Sequence, residues 1–494
     1  MLDFIGIGLG PFNLSLASLL QEKSQLNYLF FERKSQFDWH AGIQLPNTVL
    51  QVPFMADLVS MVDPTSPYSF LNYLKHQQRL YKFYFLEQPH IPRREYNHYC
   101  QWVAAQLSNI QYDSTVVQVK ARLHGFEVTV EQDGIHQVYQ CRHLVLGTGT
   151  SPLLPDLLQE LQRQYPEQCL HSAQYLQLKH EATLQDVAVI GSGQSAAEVF
   201  MDLFDRQFEH DRQTQPVFEL HWLTRSDGFF PMEYAPLGLE HFSPDYGQFF
   251  YRLENQQKQR LLQRQGLLHK GISANTIKQI YQKMYHRSIG QSSSPVHLHV
   301  QSELIHAEKI EHGKIRLYFQ HKLHNTRFYL DCDLVIAATG YGTPSLQFLQ
   351  PLLALMGRDE AGQWQVDQYY RLQYQGQGQI YVQNLEFSSH GVVTPDLGMG
   401  AHRAAIIANQ LMGQAYYELP EQAQCFQHFD LHENPRIHVL EKSDTQAPLM
   451  QPQAQNVGSQ VTSSNSGNKS NEAHQTTLTA NYSAKQQSHY ERSL

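Results

Sequence analysis

Two apolar runs, each followed by a glycine-rich turn and a helical pattern, stand out along the chain. Residues 2–7 form the first run, the turn follows at 8–13, and leucines at helical spacing continue from there. A second apolar run, 26–31, ends in Glu32. The order of strand, turn, helix and strand predicts a dinucleotide-binding unit at the beginning of the chain.

The same order returns in the middle of the chain. A strand at 187–190 leads into a glycine-rich turn at 191–196 and then into a helix. The next strand, 218–223, ends at Thr224 and Arg225. The pattern therefore predicts a second nucleotide-binding unit.

The rest of the chain departs from this design in two places. Residues 228–290 predict helices rich in Gln, Tyr and Leu, and strand patterns return at 297–300, 315–320 and 333–337. From Gln446 to Leu494, Gln, Ser, Asn and Thr dominate and large apolar residues are few. Such a segment cannot form a packed core, so we expect a disordered tail.

Composition bounds the class of protein. The chain has 494 residues, 41% of them hydrophobic and 17% charged, with a net charge of −9. This length predicts two or three domains, and the acidic balance argues against a nucleic-acid-binding protein. The five cysteines have no CxxC spacing and the 27 histidines have no ligand spacing, so we expect neither a disulfide framework nor a metal site.

The N-terminus has no basic region followed by an apolar stretch, which argues against a secretory signal. No apolar run of about 18 residues predicts a membrane span. We therefore expect a cytoplasmic protein with no membrane partner.

The first turn carries the chemistry of nucleotide binding. Gly8 and Gly10, followed by Pro11, allow a tight turn and let the backbone approach a pyrophosphate at a helix N-terminus. Asn13 replaces the third glycine of the usual fingerprint and is expected to fit less closely against the strand. Glu32 lies at the distance expected for a carboxylate that holds a ribose hydroxyl.

The second turn has Gly191 and Gly193 in the same places and the permitted Ala196 in the third. Its second strand ends in Arg225 instead of an acid. A guanidinium group at this position suits a 2′-phosphate, which favours NADPH over NADH. The alternative is an ordinary surface arginine.

Taken together, the motifs resemble one family. Nine segments carry the resemblance: GLGPFNLS at 8–15, FDWH at 37–40, LQVPF at 50–54, DLV at 57–59, DPTSPYSFLNY at 63–73, PRREY at 92–96, GSGQS at 191–195, ATGY at 338–341 and HG at 390–391. The chain is similar, over residues 1 to about 430, to the N-hydroxylating flavoprotein monooxygenases of siderophore biosynthesis, the lysine and ornithine N-monooxygenases.

The resemblance implies an α/β fold with two dinucleotide-binding, Rossmann-like domains, a smaller helical substrate domain and the tail. The implied boundaries are 1–170 and 330–440 for the FAD-binding domain, 171–228 and 291–329 for the NADPH-binding domain, 229–290 for the helical insert, and 441–494 for the tail. It further implies a homo-oligomer, a dimer or a tetramer.

The implied reaction uses FAD, NADPH, O2 and a small aliphatic amine. NADPH reduces the flavin, O2 adds at its C4a position, and one oxygen passes to an uncharged primary amine. Gln51 is expected beside the flavin, where it helps to hold the oxygenated cofactor. The cofactor-binding residues implied are Gly8, Gly10, Pro11, Asn13, Glu32, Trp39, His40, Gln51, Gly191, Gly193, Gln194, Ser195, Arg225, Thr339, Gly340, Tyr341 and Leu397.

Three positions expected to hold an amino acid's α-carboxylate have changed. The amino-acid hydroxylases carry a lysine, an asparagine and a serine where this chain has Ala56, Leu239 and Gly398. A carboxylate buried without partners costs several kcal/mol, roughly. The changes therefore favour a substrate without that carboxylate, a diamine such as putrescine or cadaverine.

Other interpretations remain open at this stage. Lys270 could replace the missing lysine in a lysine or ornithine hydroxylase, and histamine is another amine without a carboxylate. With a diamine, Glu240 could accept the distal ammonium, as could Glu233 or Tyr234, and Leu397 would line the site with Gly398. From other classes, a disulfide-reductase-like flavoprotein would need a redox cysteine pair, and a non-catalytic protein would not need Gln51.

Overall fold

The computed structural model describes residues 1–21, 25–178, 184–207, 218–290, 295–421, 423–431 and 436–437. The chain divides into two compact units, residues 1–427 and residues 428–494. Of the second unit, only 428–431 and 436–437 are described. The predicted disordered tail, 441–494, lies outside the described residues.

Short strands and helices alternate through the first unit. The strands are β1 (Leu2–Ile7), β2 (Tyr28–Phe31), β3 (Ile110–Gln111), β4 (Thr115–Arg122), β5 (Gly125–Gln132), β6 (Ile135–Leu146), β7 (Ser151–Pro152), β8 (Cys169–His171), β9 (Asp186–Ile190), β10 (Glu219–Leu223), β11 (Val296–His299), β12 (Ser302–Lys309), β13 (Ile315–His321), β14 (Thr326–Cys332), β15 (Leu334–Ala337), β16 (Tyr341–Gly342), β17 (Arg371–Leu372) and β18 (Gln379–Val382). The helices are α1 (Pro11–Gln21), α2 (Phe70–His76), α3 (Leu80–Leu86), α4 (Arg93–Ala104), α5 (Asp156–Gln164), α6 (Gln194–Arg206), α7 (Pro236–Leu239), α8 (Pro244–Arg252), α9 (Asn255–Arg264), α10 (Gly266–His269), α11 (Ala274–Ser288), α12 (Phe387–His390) and α13 (Gly400–Met412).

The first sheet contains the N-terminal nucleotide-binding unit. Its main path runs β17-β18-β6-β1-β2-β3, and β4 and β5 join it through β6. The central strand β1 pairs in parallel with β2 and β6, in the register Ile5↔Leu29 and Ile5↔Leu144. Helices cover both faces of parallel strands, which is why β1 reads as a continuous apolar run. The predicted first dinucleotide unit is confirmed.

The second sheet contains the repeated unit. Its strands run in the order β11-β10-β9-β15-β8, and every pair is parallel. The helix after its turn, α6, packs its buried residues Ala197, Phe200 and Leu203 into the core that covers this sheet. The prediction of two Rossmann-like units is confirmed.

The position of β15 corrects one boundary. The sequence boundary at residue 330 assigns β15 to the FAD-binding domain, but β15 pairs with β9 and β8 in the second sheet. The sequence Leu334–Ala337 is buried throughout, and such a short apolar run fits either parallel sheet equally well. Its sheet is decided by long-range pairing that the local pattern does not contain.

Two short strands link the sheets. β7, which follows β6, pairs in antiparallel fashion with β16, which follows β15, in the register Tyr341↔Pro152 and Gly342↔Ser151. The outgoing and returning segments of the chain are therefore hydrogen-bonded to each other. Between these two passages, β12, β13 and β14 form a separate three-stranded antiparallel sheet.

The helices α7 to α11 lie in the segment expected to be helical, between Pro236 and Ser288. Within the described residues, none of the helices has the length and apolar character needed to cross a membrane.

Candidate active site

Both nucleotide-binding turns are shaped by a glycine that passes close to a neighbouring strand. Gly8 has a φ of +83°, and a Cβ atom there would lie 2.7 Å from the carbonyl oxygen of Gly147. Gly191 has a φ of +143°, and its Cβ would lie 2.2 Å from the carbonyl oxygen of Ala338. No side chain larger than hydrogen fits at either position.

The second glycine of each turn has a different environment. A Cβ atom on Gly10 or Gly193 would meet no heavy atom within 4 Å. The backbone at these two positions is therefore open on its outer side, next to the first residues of α1 and α6. This combination of a closed first glycine and an open second glycine fits a pyrophosphate group approaching each helix N-terminus.

Asn13 has a larger role than its place in the fingerprint indicates. Its Nδ2 donates to the carbonyl oxygen of Gly8 at 2.7 Å, and its Oδ1 accepts from Nε2 of Gln383 at 2.6 Å. The side chain is fully buried. Asn13 therefore holds the turn to the residue that follows β18, and in place of the looser fit expected, its side chain is hydrogen-bonded to both Gly8 and Gln383. Gln383 was not found from the sequence, because a single glutamine after a strand gives no signal.

Glu32 lies beside the first turn, where the strand-end position places it. Its Oε2 accepts from the backbone N–H of Leu9 at 2.7 Å, and its Oε1 accepts from that of Lys34 at 3.0 Å. These bonds fix the carboxylate at the rim of the turn and leave each oxygen with further acceptor capacity. Its contact with a ribose stays a prediction.

Arg225 follows the end of β10 after one residue, Thr224, and is exposed. The next residue, Ser226, lies 3.1 Å from the hydroxyl of Ser192 within the second turn, measured between the two Oγ atoms. The strand end and the turn are therefore adjacent, and Arg225 is placed where a 2′-phosphate could reach it. Ser195 is half-buried in the first turn of α6.

Trp39, His40 and Tyr341 form an aromatic group between the two sheets. The rings of Trp39 and His40 meet edge to face at 4.5 Å, and those of His40 and Tyr341 at 5.4 Å. Burial, with the nearby charge of Arg93, lowers the pKa of His40 to about 4, so this imidazole is neutral at neutral pH. These rings lie together, and their contact with a cofactor stays a prediction.

Thr339 and Gly340 are engaged at the link between the sheets. The hydroxyl of Thr339 donates to the carbonyl oxygen of Leu153 at 2.6 Å, and the carbonyl oxygen of Gly340 lies 3.0 Å from Nε2 of His171. Both residues hold the returning chain in place. Their predicted contact with a cofactor would have to use their remaining backbone groups.

Gln51 is fixed by two residues that precede α7. Its Nε2 donates to the sulfur of Met232 at 3.0 Å, and its backbone oxygen accepts from the hydroxyl of Tyr234 at 2.9 Å. Burial raises the pKa of Tyr234 to about 12, and the negative charge of Asp396 acts in the same direction. Gln51, Tyr234 and Asp396 therefore belong to one neighbourhood.

Two of the three altered substrate positions lie next to each other. A Cβ atom on Gly398 would be 3.8 Å from the Cβ of Ala56 and 2.8 Å from Oδ1 of Asp396. Ala56 is buried, and Asp396 is only partly exposed. Burial raises the pKa of Asp396 to about 6. The carboxylate of Asp396 therefore lies beside Gly398, which is itself next to Ala56, at the two positions where the amino-acid hydroxylases carry a serine and a lysine.

Asp396 was missed as a functional residue because its local sequence is that of a cap. Its Oδ1 accepts from the backbone N–H of Met399 at 3.2 Å, in front of the short helical turn Leu397–Met399. Leu397 itself packs against the core of the first sheet. The role of Asp396 becomes visible only with Ala56 and Gly398 beside it.

The remaining substrate candidates lie elsewhere. Both oxygens of Glu240 accept backbone N–H bonds, from Phe426 at 3.1 Å and Gln427 at 3.0 Å. These bonds hold the carboxylate of Glu240 to a neighbouring segment, and its contact with a substrate ammonium stays a prediction. Leu239 is 39% exposed, and Lys270 is exposed at the end of α10. No described contact brings either residue to Ala56.

A buried ion pair supports the loop that carries Asp396. Arg403 on α13 bonds to Glu386, and its guanidinium also donates to the carbonyl oxygen of Thr394 at 2.9 Å. The same guanidinium lies 4.1 Å from the ring centroid of Phe12 on α1. The loop is thereby held to the helix that begins at the first nucleotide-binding turn.

Two nucleotide-binding turns on separate parallel sheets, with an aromatic group and a polar site beside them, define an oxidoreductase of the two-dinucleotide type. The chain belongs to the L-lysine 6-monooxygenase/L-ornithine 5-monooxygenase family, whose sequence profile matches residues 1–343. Among the described residues, no group of three or more His, Cys, Asp or Glu side chains could hold a metal ion.

Two relatives and one solved structure illustrate the similarity. The chain is 41% identical over 440 residues to the rhizobactin siderophore biosynthesis protein RhbE of Rhizobium meliloti, covering 87% of this chain and 95% of RhbE. It is 38% identical over 418 residues to a putrescine N-hydroxylase of Acinetobacter baumannii, covering 84% and 91% of the two chains. The structure of DfoA bound to FAD, a cadaverine monooxygenase of Erwinia amylovora, aligns with a TM-score of 0.81 and 35% identity, over 87% of this chain and 98% of DfoA.

Proposed function

We propose that this protein is an FAD- and NADPH-dependent monooxygenase that hydroxylates a terminal primary amine of an aliphatic diamine during siderophore biosynthesis. The observation that supports this substrate class is the cluster of Ala56, Asp396 and Gly398. One of these three side chains is a carboxylate and none is cationic, so the cluster suits an ammonium group better than an α-carboxylate. The charge of Arg403 also acts on Asp396, but burial outweighs it.

The electrostatics of this cluster separate the two substrate classes. Burial disfavours the charged form of Asp396, which is why its pKa is raised to about 6. The distal ammonium of a bound diamine would favour the carboxylate form again through an opposite charge within hydrogen-bond reach. The carboxylate of lysine or ornithine would instead face the carboxyl group of Asp396, and like charges in a buried site destabilise each other. The guanidinium of Arg403, whose charge acts on Asp396, is already bonded to Glu386 and to the carbonyl oxygen of Thr394.

The turns and rings fit the two cofactors. The open backbone at Gly10 and the carboxylate of Glu32 would hold the phosphates and ribose of FAD, and Trp39 and His40 would lie against it. When bound, FAD supplies the redox chemistry that activates O2. The second turn and Arg225 would hold NADPH.

The chain itself contributes orientation and a neutral, buried environment. Tyr234 fixes the backbone of Gln51, and Met232 accepts a hydrogen bond from its side-chain amide, so the residue is positioned before substrate arrives. Asp396 would anchor the far end of the diamine, and the reacting amine would then lie toward Gln51. That amine must be uncharged to accept oxygen, and neutral neighbours such as His40 and Gln51 favour the uncharged form.

The names of similar proteins support the same substrate class. One relative is a putrescine N-hydroxylase, and DfoA is a cadaverine monooxygenase. Lysine, ornithine and histamine remain the alternatives to be tested.

We also propose that the protein acts as a homo-oligomer, a dimer or a tetramer, in the cytoplasm. On α3, the side chains of Tyr81, Tyr84 and Phe85 are 78%, 72% and 73% exposed, and contiguous aromatic surface of this kind is typical of contact sites. All five cysteines are unpaired, which suits a reducing compartment. Light scattering measures the number of chains in the particle, and a monomer would contradict the proposed homo-oligomer.

The decisive experiment measures hydroxylamine formed per NADPH oxidised by the FAD-loaded enzyme. The substrates are putrescine, cadaverine, histamine, lysine and ornithine, each at matched concentration. We expect coupled turnover on a diamine and little on the amino acids. Preferred turnover on lysine or ornithine would contradict the diamine proposal and leave N-hydroxylation intact. NADPH oxidation without hydroxylamine from any amine would contradict the proposed reaction.

A further inference from the structure

A buried ion pair joins the two nucleotide-binding parts of the chain. Arg93 is the first residue of α4, and Glu198 lies on α6. The two guanidinium nitrogens of Arg93 each donate to one carboxylate oxygen of Glu198, both at 2.8 Å. Their side chains are 11% and 1% exposed.

The two helices belong to different cores. Residues Tyr96, Tyr99 and Val103 of α4 pack in the core of the first sheet, whereas Val199 and Phe200 of α6 pack in the core of the second. The ion pair therefore crosses from one core to the other. Arg93 also donates to the carbonyl oxygen of Ile43 at 3.1 Å, and Ile43 packs in the second core.

Glu198 also holds the beginning of the second nucleotide-binding turn. Its Oε1 accepts from Nε2 of Gln194 at 2.9 Å, and Oε1 of Gln194 accepts from the backbone N–H of Ser273 at 2.8 Å. The Gln194 amide also donates to the hydroxyl of Thr276 on α11 at 3.2 Å. The side chain of Gln194 is thus occupied inside the protein. α4 and α6 meet at the carboxylate of Glu198, and α11 is joined to them through Gln194.

Such a pair is better suited to setting orientation than to adding stability. Removing two charges from water has a large cost that their attraction offsets only in part. Two parallel N–H···O bonds, however, fix the relative direction of the two groups, which a single contact does not do. The pair also borders the aromatic group, because the charges of Arg93 and Glu198 both act on the hydroxyl of Tyr341.

We propose that Arg93 and Glu198 are positioning residues that fix the NADPH-binding turn relative to the flavin-binding part of the chain. This inference rests on the proposed function, since it takes residues 191–196 as the NADPH site. Transfer of a hydride between two cofactors depends steeply on their separation and alignment. The pair would therefore affect reduction of the flavin by NADPH and not the affinity for the amine.

The test compares Glu198→Gln with wild type, both loaded with FAD. Asp331→Asn is the matched control, because Arg316 and Asp331 form a similar two-bond pair at 2.6 and 2.8 Å within the three-stranded sheet. Two quantities are measured: the anaerobic rate of flavin reduction by saturating NADPH, and amide hydrogen exchange across residues 41–43 and 194–198. Reduction by dithionite, which needs no NADPH site, shows whether the flavin itself is intact.

We expect Glu198→Gln to slow reduction by NADPH by about tenfold, a typical coupling between sites, and to raise exchange in both segments. Reduction by dithionite, the FAD content and the KM for the amine should stay at wild-type values. Glu198→Asp should recover part of the rate, because it keeps the charge. The Asp331→Asn control should behave as wild type.

The proposal would be overturned if Glu198→Gln had wild-type rates of flavin reduction by NADPH and wild-type amide hydrogen exchange. It would also be overturned if flavin reduction by NADPH and by dithionite were slowed equally. If Glu198→Gln does not fold, Arg93→Lys provides the same comparison, since it keeps the charge and loses the two-bond geometry. A wild-type flavin that NADPH does not reduce would contradict the proposed function. Hydrogen exchange would still decide whether the pair fixes the two parts.

Discussion

Replacing Asp396 with asparagine tests whether its carboxylate binds the distal ammonium of a diamine. The change removes the negative charge and keeps the shape, and asparagine can still accept the backbone N–H of Met399. Loss of one partner from a buried, hydrogen-bonded charge pair costs about 2–5 kcal/mol. Because Asp396 is partly exposed, we expect the lower part of this range.

A loss of about 2–3 kcal/mol corresponds to a fall of about 30- to 150-fold in kcat/KM for putrescine or cadaverine. Most of it should appear as a higher KM, because the distal ammonium is bound equally before and during the reaction. The assay is hydroxylamine formation at a pH well above the pKa of Asp396.

Asp359→Asn is the matched control, since Asp359 also accepts backbone N–H bonds, from Ala361 and Gln363, in a loop away from Ala56. A kcat/KM for diamines in Asp396→Asn within about twofold of wild type would refute the reasoning. An equal loss on lysine and on putrescine would show that Asp396 supports the fold of the site and does not select the ammonium.

Three further predictions concern the pH dependence of Asp396 and substitutions at Ala56 and Arg225. As the pH falls through about 6, Asp396 takes up a proton, so the KM for a diamine should rise, and the pH profile of Asp396→Asn should lack this rise. The raised pKa also means that the folded protein holds this proton more tightly than the unfolded chain. The contribution of the carboxyl to the free energy of unfolding, measured by denaturant titration, should therefore fall as the pH rises from 3.8 to about 6. Ala56→Lys should place an ammonium beside Asp396 and lower kcat/KM for diamines by about tenfold or more, whereas unchanged diamine kinetics would place residue 56 outside the substrate site. Arg225→Gln should raise the KM for NADPH by about tenfold and leave that for NADH unchanged, and an equal effect on both nucleotides would show that Arg225 does not bind the 2′-phosphate.

The elements found from the sequence are those with the strongest burial. In β1 and β9 four consecutive residues are buried, and their apolar runs predict the strands within a residue. In β4, by contrast, Val119 is the one buried residue, and no strand was predicted there although the segment contains three valines. The pairing of β4 with β5 and of β5 with β6 supplies what the local pattern lacks.

In the candidate site, too, the sequence predicted local features but not contacts between distant segments. The glycines at 8 and 191 are readable because a tight turn needs them at a fixed place in the sequence. The approach of Ala56 to Gly398 joins segments far apart in the chain, so the resemblance indicated the changed positions but not the carboxylate of Asp396 beside them. The bonds of Glu240 to Phe426 and Gln427 also join segments far apart in the chain, so the sequence did not indicate them.

The pairing of β7 with β16 has a consequence for how the protein can be rebuilt. The chain leaves and re-enters the first sheet side by side, so residues between Pro152 and Tyr341 form an insertion whose ends are adjacent. Insertions with neighbouring ends can be exchanged between homologous proteins without a long new linker. The inserted segment, which contains the turn at residues 191–196, is thus a unit that could be exchanged. A chimera cut within this two-stranded link should fold, provided that the donor segment keeps an acidic residue to meet Arg93.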